Sequence, residues 1–241
     1  MSAVRQPPAL SNQPGPPFNA PAARRLRAAL GMGPEHVAYD LQASYGMPYA
    51  TPDLVLAWEG GELAPTSPEL TALAGVLWCT PGELIGRPQT LREHRIARGL
   101  APEDVAAALG LGLLPYLQLE EDKEWRGTDR LTAALADFLR LSLPDVITLT
   151  GKEEQLAELL RSAVTTTRRQ PYVRQVCKLI PLDKRLIEHT LGELYEAYQA
   201  QLATTLSWGD FTTTNRIQKL GEDFLAQIVA HFWNTVEEKR P

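Results

Sequence analysis

Apolar residues along this chain recur at i, i+3 or i+4 and i+7 and scarcely alternate, a pattern that predicts helix throughout and an all-α fold. Leu70, Leu73, Ala74 and Leu77 form one such stripe, and Leu131, Leu135, Ala136 and Leu139 form another. A capping residue follows each, Thr80 before Pro81-Gly82-Glu83-Leu84 and Ser142 before Leu143-Pro144-Asp145-Val146. A hydroxyl there can accept an N–H left over at a helix start, so each predicts a short further helix. From Lys152 the spacing lengthens, predicting helices near 153–167, 171–180, 183–206 and 216–238, the second stopped by Pro181. The last carries Ile217, Leu220, Phe224, Leu225, Ile228, Val229, Phe232, Trp233 and Val236. That stripe is wide enough to serve a core and a second copy, so a homodimer through these helices is expected. Ser207–Asn215, with Trp208 and Phe211, reads as the loop before it.

An internal repeat organises the first part of the chain. The stretch Arg24–Ala38 returns as Arg92–Ala106 without a gap, with Arg24/Arg92, Arg27/Arg95, Gly31/Gly99, Pro34/Pro102, Glu35/Glu103, Val37/Val105 and Ala38/Ala106 identical. Its chemistry is that of one helix ending and another beginning. Glycine tolerates the left-handed residue just past a helix, proline needs no N–H at the first helical position, and an acid suits the dipole there. Continued to the capped stripes, each copy predicts a set of five short helices. The expected organisation is a disordered Pro-rich tail over 1–21, a first unit over 22–87, a hinge at Arg87-Pro88-Gln89, a second unit over 88–151, and a C-terminal helical domain over 152–241.

Charge narrows the function. A net charge of −5 excludes the global signature of a nucleic-acid binder, so any such role rests on a local surface. No Lys or Arg occurs from Ala28 through Gly86, against seven Asp and Glu. The most basic stretch runs from Arg161 to Arg185, with Arg168, Arg169, Arg174, Lys178, Lys184 and Arg185 against Asp183 alone. Thr165-Thr166-Thr167 beside Arg168 and Arg169 suits phosphate oxygens, and equally suits a helix end whose arginines answer the dipole. His36, His94, His189 and His231 match no metal-ligand spacing, and no nucleophile elbow, P-loop or dinucleotide fingerprint occurs. The expectation is a chain that is not an enzyme and holds no cofactor or metal. Cys79 and Cys177 form no disulfide framework, and no apolar run reaches the ~18 residues of a membrane span. A cytoplasmic protein with no membrane contact is expected.

The repeated pattern resembles the Cro/CI-type (XRE family) helix-turn-helix proteins. The first unit supplies Gly31-Met32, Glu35, Val37-Ala38, Trp58-Glu59-Gly60-Gly61, Pro65 and Leu70, Leu73, Ala74. The second supplies Gly99-Leu100, Glu103, Val105-Ala106, Glu120-Glu121 and Leu135-Ala136. The first departs by extra residues around Ser44–Ala50, the second by lacking the tryptophan before its glutamate and by Pro115 in its third helix. The resemblance implies two tandem five-helix helix-turn-helix units, followed here by a C-terminal helical domain, and a transcriptional regulator that binds double-stranded DNA. In such proteins the third helix enters the major groove. The positions it presents are Thr51, Asp53, Leu54 and Leu56 in the first unit and Leu114, Tyr116 and Gln118 in the second. Only Gln118 is of a base-reading type. Arg92, Arg95, Lys123, Arg126, Arg130, Arg168 and Arg169 are the candidate backbone contacts. The alternative is a protein-interaction module that keeps the fold without reading sequence, with a protein partner on the first unit.

Overall fold

The computed structural model describes residues 15–122, 125–206 and 213–239. Among them the chain is all helix, with no strand beyond an isolated bridge between Phe18 and Ile85. It divides into two compact bodies, Met1–Leu141 and Ser142–Pro241.

The N-terminal body carries α1 (Ala20–Ala29), α2 (Pro34–Tyr45), α3 (Pro52–Gly60), α4 (Ser67–Val76), α5 (Pro81–Leu84), α6 (Leu91–Ala97), α7 (Pro102–Ala108), α8 (Leu113–Glu121) and α9 (Asp129–Phe138). The repeat is visible in the backbone. Gly31 after α1 and Gly99 after α6 both sit at φ +66°, the left-handed conformation glycine adopts without a Cβ clash. Thr80 opens α5 with its N–H on the Glu83 carboxylate at 2.8 Å. Ser142 likewise caps α10 (Leu143–Leu149), accepting from the Asp145 N–H at 3.3 Å. Past α4 and α9 the left-handed position is held by Trp78 and Arg140 instead, at φ +54° and +48°. Val37, Leu41, Trp58, Leu70 and Leu84 are buried in the core of the first five helices.

Three features of this body and its boundary differ from the expected organisation. The tail is fixed from Pro16 onward: the Gly86 N–H donates to the Pro17 carbonyl, the Asn19 N–H to that of Leu84, and Phe18 packs on the core. Residues 1–14 of the expected disordered tail lie outside the described residues. The expected hinge is bridged by packing, because Ile96 of α6 joins the first core and Gly82 lies against the Ala97 carbonyl. Finally, α10 belongs to the C-terminal body, where Ile147 is buried in the second core.

That second body continues with α11 (Glu153–Val164), α12 (Gln170–Leu179), α13 (Lys184–Leu206), α14 (Thr213–Ala226) and α15 (Ile228–Glu238). The single last helix expected over 216–238 is two helices, turned at Gln227 (φ −103°, ψ 14°). Phe224 before the turn and Ile228, Phe232, Trp233 and Val236 after it all enter one core with Leu156, Leu160, Ile187 and Leu191. The apolar stripe expected to face a second copy is therefore largely covered by its own body, though Leu220 stays 41% exposed. The side chain of Ile217 and the loop residues Trp208 and Phe211 lie outside the described residues. No described helix is long and apolar enough to cross a membrane.

Candidate nucleic-acid interface

One of the identical pairs of the repeat, Arg27 and Arg95, is turned inward. Arg27 on α1 donates from Nε and Nη2 to the two oxygens of Glu59 on α3, at 2.6 and 2.7 Å, and from Nη1 to the Met32 carbonyl at 2.8 Å. In the second repeat Arg95 on α6 donates to both oxygens of Glu120 on α8, at 2.5 and 3.0 Å, and to the Leu100 carbonyl at 2.9 Å. The side chains of Arg95 and Glu120 are only 10% and 6% exposed. Burial opposes the Arg95 charge, yet the hydrogen bond and attraction of Glu120 outweigh it and its pKa is raised. Arg95, expected to contact phosphate, is thus a clamp between the first and third helices of its repeat, with each of its three guanidinium nitrogens hydrogen-bonded from within.

Tyr116 is also displaced from its expected place. It is fully buried, and its hydroxyl donates to Glu120 at 2.6 Å. Burial first, and the glutamate second, push the phenol far above its ordinary value. What α8 turns outward is Leu114, 73% exposed, with Gln118 and Glu121 one and two turns on along the same face. A four-residue turn, Leu109–Gly112, leads into this helix from α7, with Gly110 at φ +67°. In the first repeat α3 presents Pro52, Asp53 and the half-exposed Leu56, while Leu54 packs on the core and Thr51 accepts from the Leu54 N–H as the helix cap. Neither outward face carries a cation.

The extra residues between α2 and α3 fold back on their own repeat. Gly75 on α4 approaches the Tyr45 hydroxyl so closely that a Cβ there would collide with it. Tyr49 has its pKa raised by partial burial and by Glu69 on the same helix.

Of the remaining candidates, Arg92 is partly buried and reaches the Ser67 hydroxyl at 3.4 Å. Arg126 and Arg130 are exposed. They flank a segment anchored by the buried Trp125, whose indole N–H donates to Thr132 at 2.7 Å, and by Thr128, which caps α9. Lys123 lies outside the described residues. Trp125 is not among the residues the sequence marks as candidates. The signal was present, since an aromatic in an otherwise polar run is the residue able to pin it.

Arg168 and Arg169 stand in the C-terminal body, in the loop between α11 and α12. Arg168 is exposed, whereas the Arg169 guanidinium lies 4.8 Å from the centre of the Tyr195 ring on α13. Among the described residues no group of His, Cys, Asp and Glu could hold a metal ion. The half-buried Cys79 thiol is pushed up to about 11, by burial and then by Glu83, and stays protonated at neutral pH. Comparisons of the chain with protein-family models, with curated proteins and with solved structures find no match.

Proposed function

We propose that this chain is a DNA-binding regulator built on two tandem helix-turn-helix repeats, in which the second repeat meets the duplex and the C-terminal body carries self-association or effector sensing. The observation that supports it is the clamp made twice, Arg27 to Glu59 and Arg95 to Glu120. Each ties the first helix of a repeat to its third, and so fixes the third helix against a short turn as a groove-reading helix requires. In the second repeat that helix exposes Gln118, whose amide can pair with adenine, and Arg126 and Arg130 follow it at the surface.

A second reading applies to the first repeat, which takes a protein partner. The outward face of α3 favours it: Pro52 and Leu56 have nothing to give to base edges, and Asp53 would lie among phosphates. Two double variants separate these roles, Gln118→Ala with Arg126→Ala and Asp53→Ala with Leu56→Ala. Thr51 is left alone because it caps α3. Target sites come from genome-wide capture of DNA on the tagged full-length chain. The first pair is expected to weaken binding to a captured site by roughly 10-fold or more, and the second to leave it within about twofold. Loss confined to the second pair reverses the assignment. No salt-dependent retention on any duplex leaves only the protein-interaction reading for both repeats.

A further inference from the structure

In the C-terminal body a concavity of about 380 Å³ opens between the start of α12 and the middle of α13. That volume is in the range of small-molecule sites. Arg169 forms one wall. Its guanidinium is held over the Tyr195 ring and lies beside Gly192 of α13. Among the described residues no ion pair is formed by Arg169. Val173, buried, contributes an apolar patch beside it.

The α13 side of the concavity is acidic, and its carboxylates are not equivalent. Glu188 is engaged by Lys184 at 3.4 Å. Glu193 accepts from Lys239 at 2.5 Å and lies 3.2 Å from His189, and its pKa is lowered by these partners, Lys239 first. Glu196 forms no ion pair among the described residues. The concavity therefore offers one oriented guanidinium and, in the same lining, one carboxylate outside any ion pair. A simple anion on Arg169 would be repelled by the carboxylates that share the concavity, and a simple cation at Glu196 would be repelled by Arg169. A small molecule bearing both charges satisfies both groups.

We propose that this concavity binds a small zwitterion of the α-amino-acid class, its carboxylate on Arg169, its ammonium on Glu196 and its side chain against Val173. Serving as the effector site of a regulator is a role that rests on the DNA-binding reading; the binding itself does not. Arg169 is then a ligand-binding residue and not a phosphate contact, which separates it from its neighbour Arg168.

The test uses the full-length chain without DNA. Each of the common L-amino acids is added singly at about 10 mM, with inorganic phosphate and methylammonium as single-charge probes, and thermal unfolding is followed by calorimetric titration of whatever stabilises. At a concentration a hundredfold above its Kd, a fitting amino acid should raise the Tm by about 5 °C. Arg169→Lys and Glu196→Gln should each weaken it at least tenfold. Glu196 is exposed, so Glu196→Gln leaves the unliganded Tm within about 1 °C and remains informative even where Arg169→Lys disturbs the fold. Three results would each overturn the proposal: no amino acid stabilises the chain, phosphate alone does so equally well, or Glu196→Gln binds as tightly as the parent. Because no DNA is present, such a failure says nothing against DNA binding, and a chain that ignores DNA can still pass.

Discussion

Arg95 and Glu120 show how residue identity and residue role part company. Both belong to the repeat, and both are charged, which in a helix surface usually means solvent. Here they meet almost out of water, bidentate and backed by a carbonyl and a tyrosine hydroxyl. Removing one partner leaves the other charge buried. Arg95→Ala should therefore cost ~3–5 kcal/mol in urea unfolding, while Arg95→Met with Glu120→Leu falls much closer to the parent. Equal losses in the single and double variants would mean that packing, not charge, holds the pair. Trp78 is the opposite case, a large side chain held where a small one would do better. It is 88% exposed and occupies a left-handed position that glycine takes at Gly31, Gly46, Gly61, Gly99, Gly110 and Gly151. Relief of that conformation is worth ~1–2 kcal/mol and the extra chain entropy of glycine costs ~0.5–1. Trp78→Gly should accordingly stabilise the chain by ~0.5–1 kcal/mol; a lower denaturation midpoint would show that the indole makes contacts that matter.

At the level of elements, local chemistry made the N-terminal helices legible and long-range packing hid the rest. Gly31, Pro34, Gly99 and Pro102 act within a turn of themselves, so their reading needs no fold. The caps at Thr80 and Ser142 are local too. The clamp joins residues 32 apart in the first repeat and 25 apart in the second. Its trace in the sequence was the pairing of an identical arginine with a glutamate near the end of the third helix in both copies. The break at Gln227 left no such trace: glutamine is an ordinary helix former, and only the shared core explains why the chain turns there. The membership of α10 was equally hidden, because its capping signal fixes where it starts and not what Ile147 packs on. One local element carries a pH signature. The Thr80 backbone N–H, then its hydroxyl, hold the Glu83 carboxyl below its ordinary value. A depressed carboxyl stabilises the fold above its unfolded pKa, and that contribution disappears as pH falls through the folded value. Unfolding midpoints between pH 7 and pH 3 should fall less steeply in Glu83→Gln than in the parent. Parallel curves would mean that the capping box contributes nothing through charge.

For the whole molecule, the balance of charge bears on the proposed binding to DNA. The chain is acidic overall, and its first repeat offers α3 with Pro52, Asp53 and Leu56 outward. The proposed binding to phosphate then depends on few cations, and the inward turn of Arg95 leaves one fewer than the sequence offered. Arg126 and Arg130 are exposed next to a segment that Trp125 and Thr132 hold in place, which spares them the entropy that a loose loop would lose on binding. Each phosphate contact releases counterions, so the slope of log K against log salt counts such contacts at ~0.9 each on duplex DNA. The double variant Arg126→Ala, Arg130→Ala should reduce that slope by about 2 and weaken specific and random duplexes alike, since contacts of this kind carry no sequence information. Arg95→Met with Glu120→Leu, in contrast, should leave the slope unchanged, because the clamp touches no phosphate. Titrations of the full-length variants between 50 and 200 mM salt, after confirming that each is folded, measure both. A slope that moves with Arg95 but not with Arg126 and Arg130 would put the DNA on a different face of the second repeat from the one proposed here.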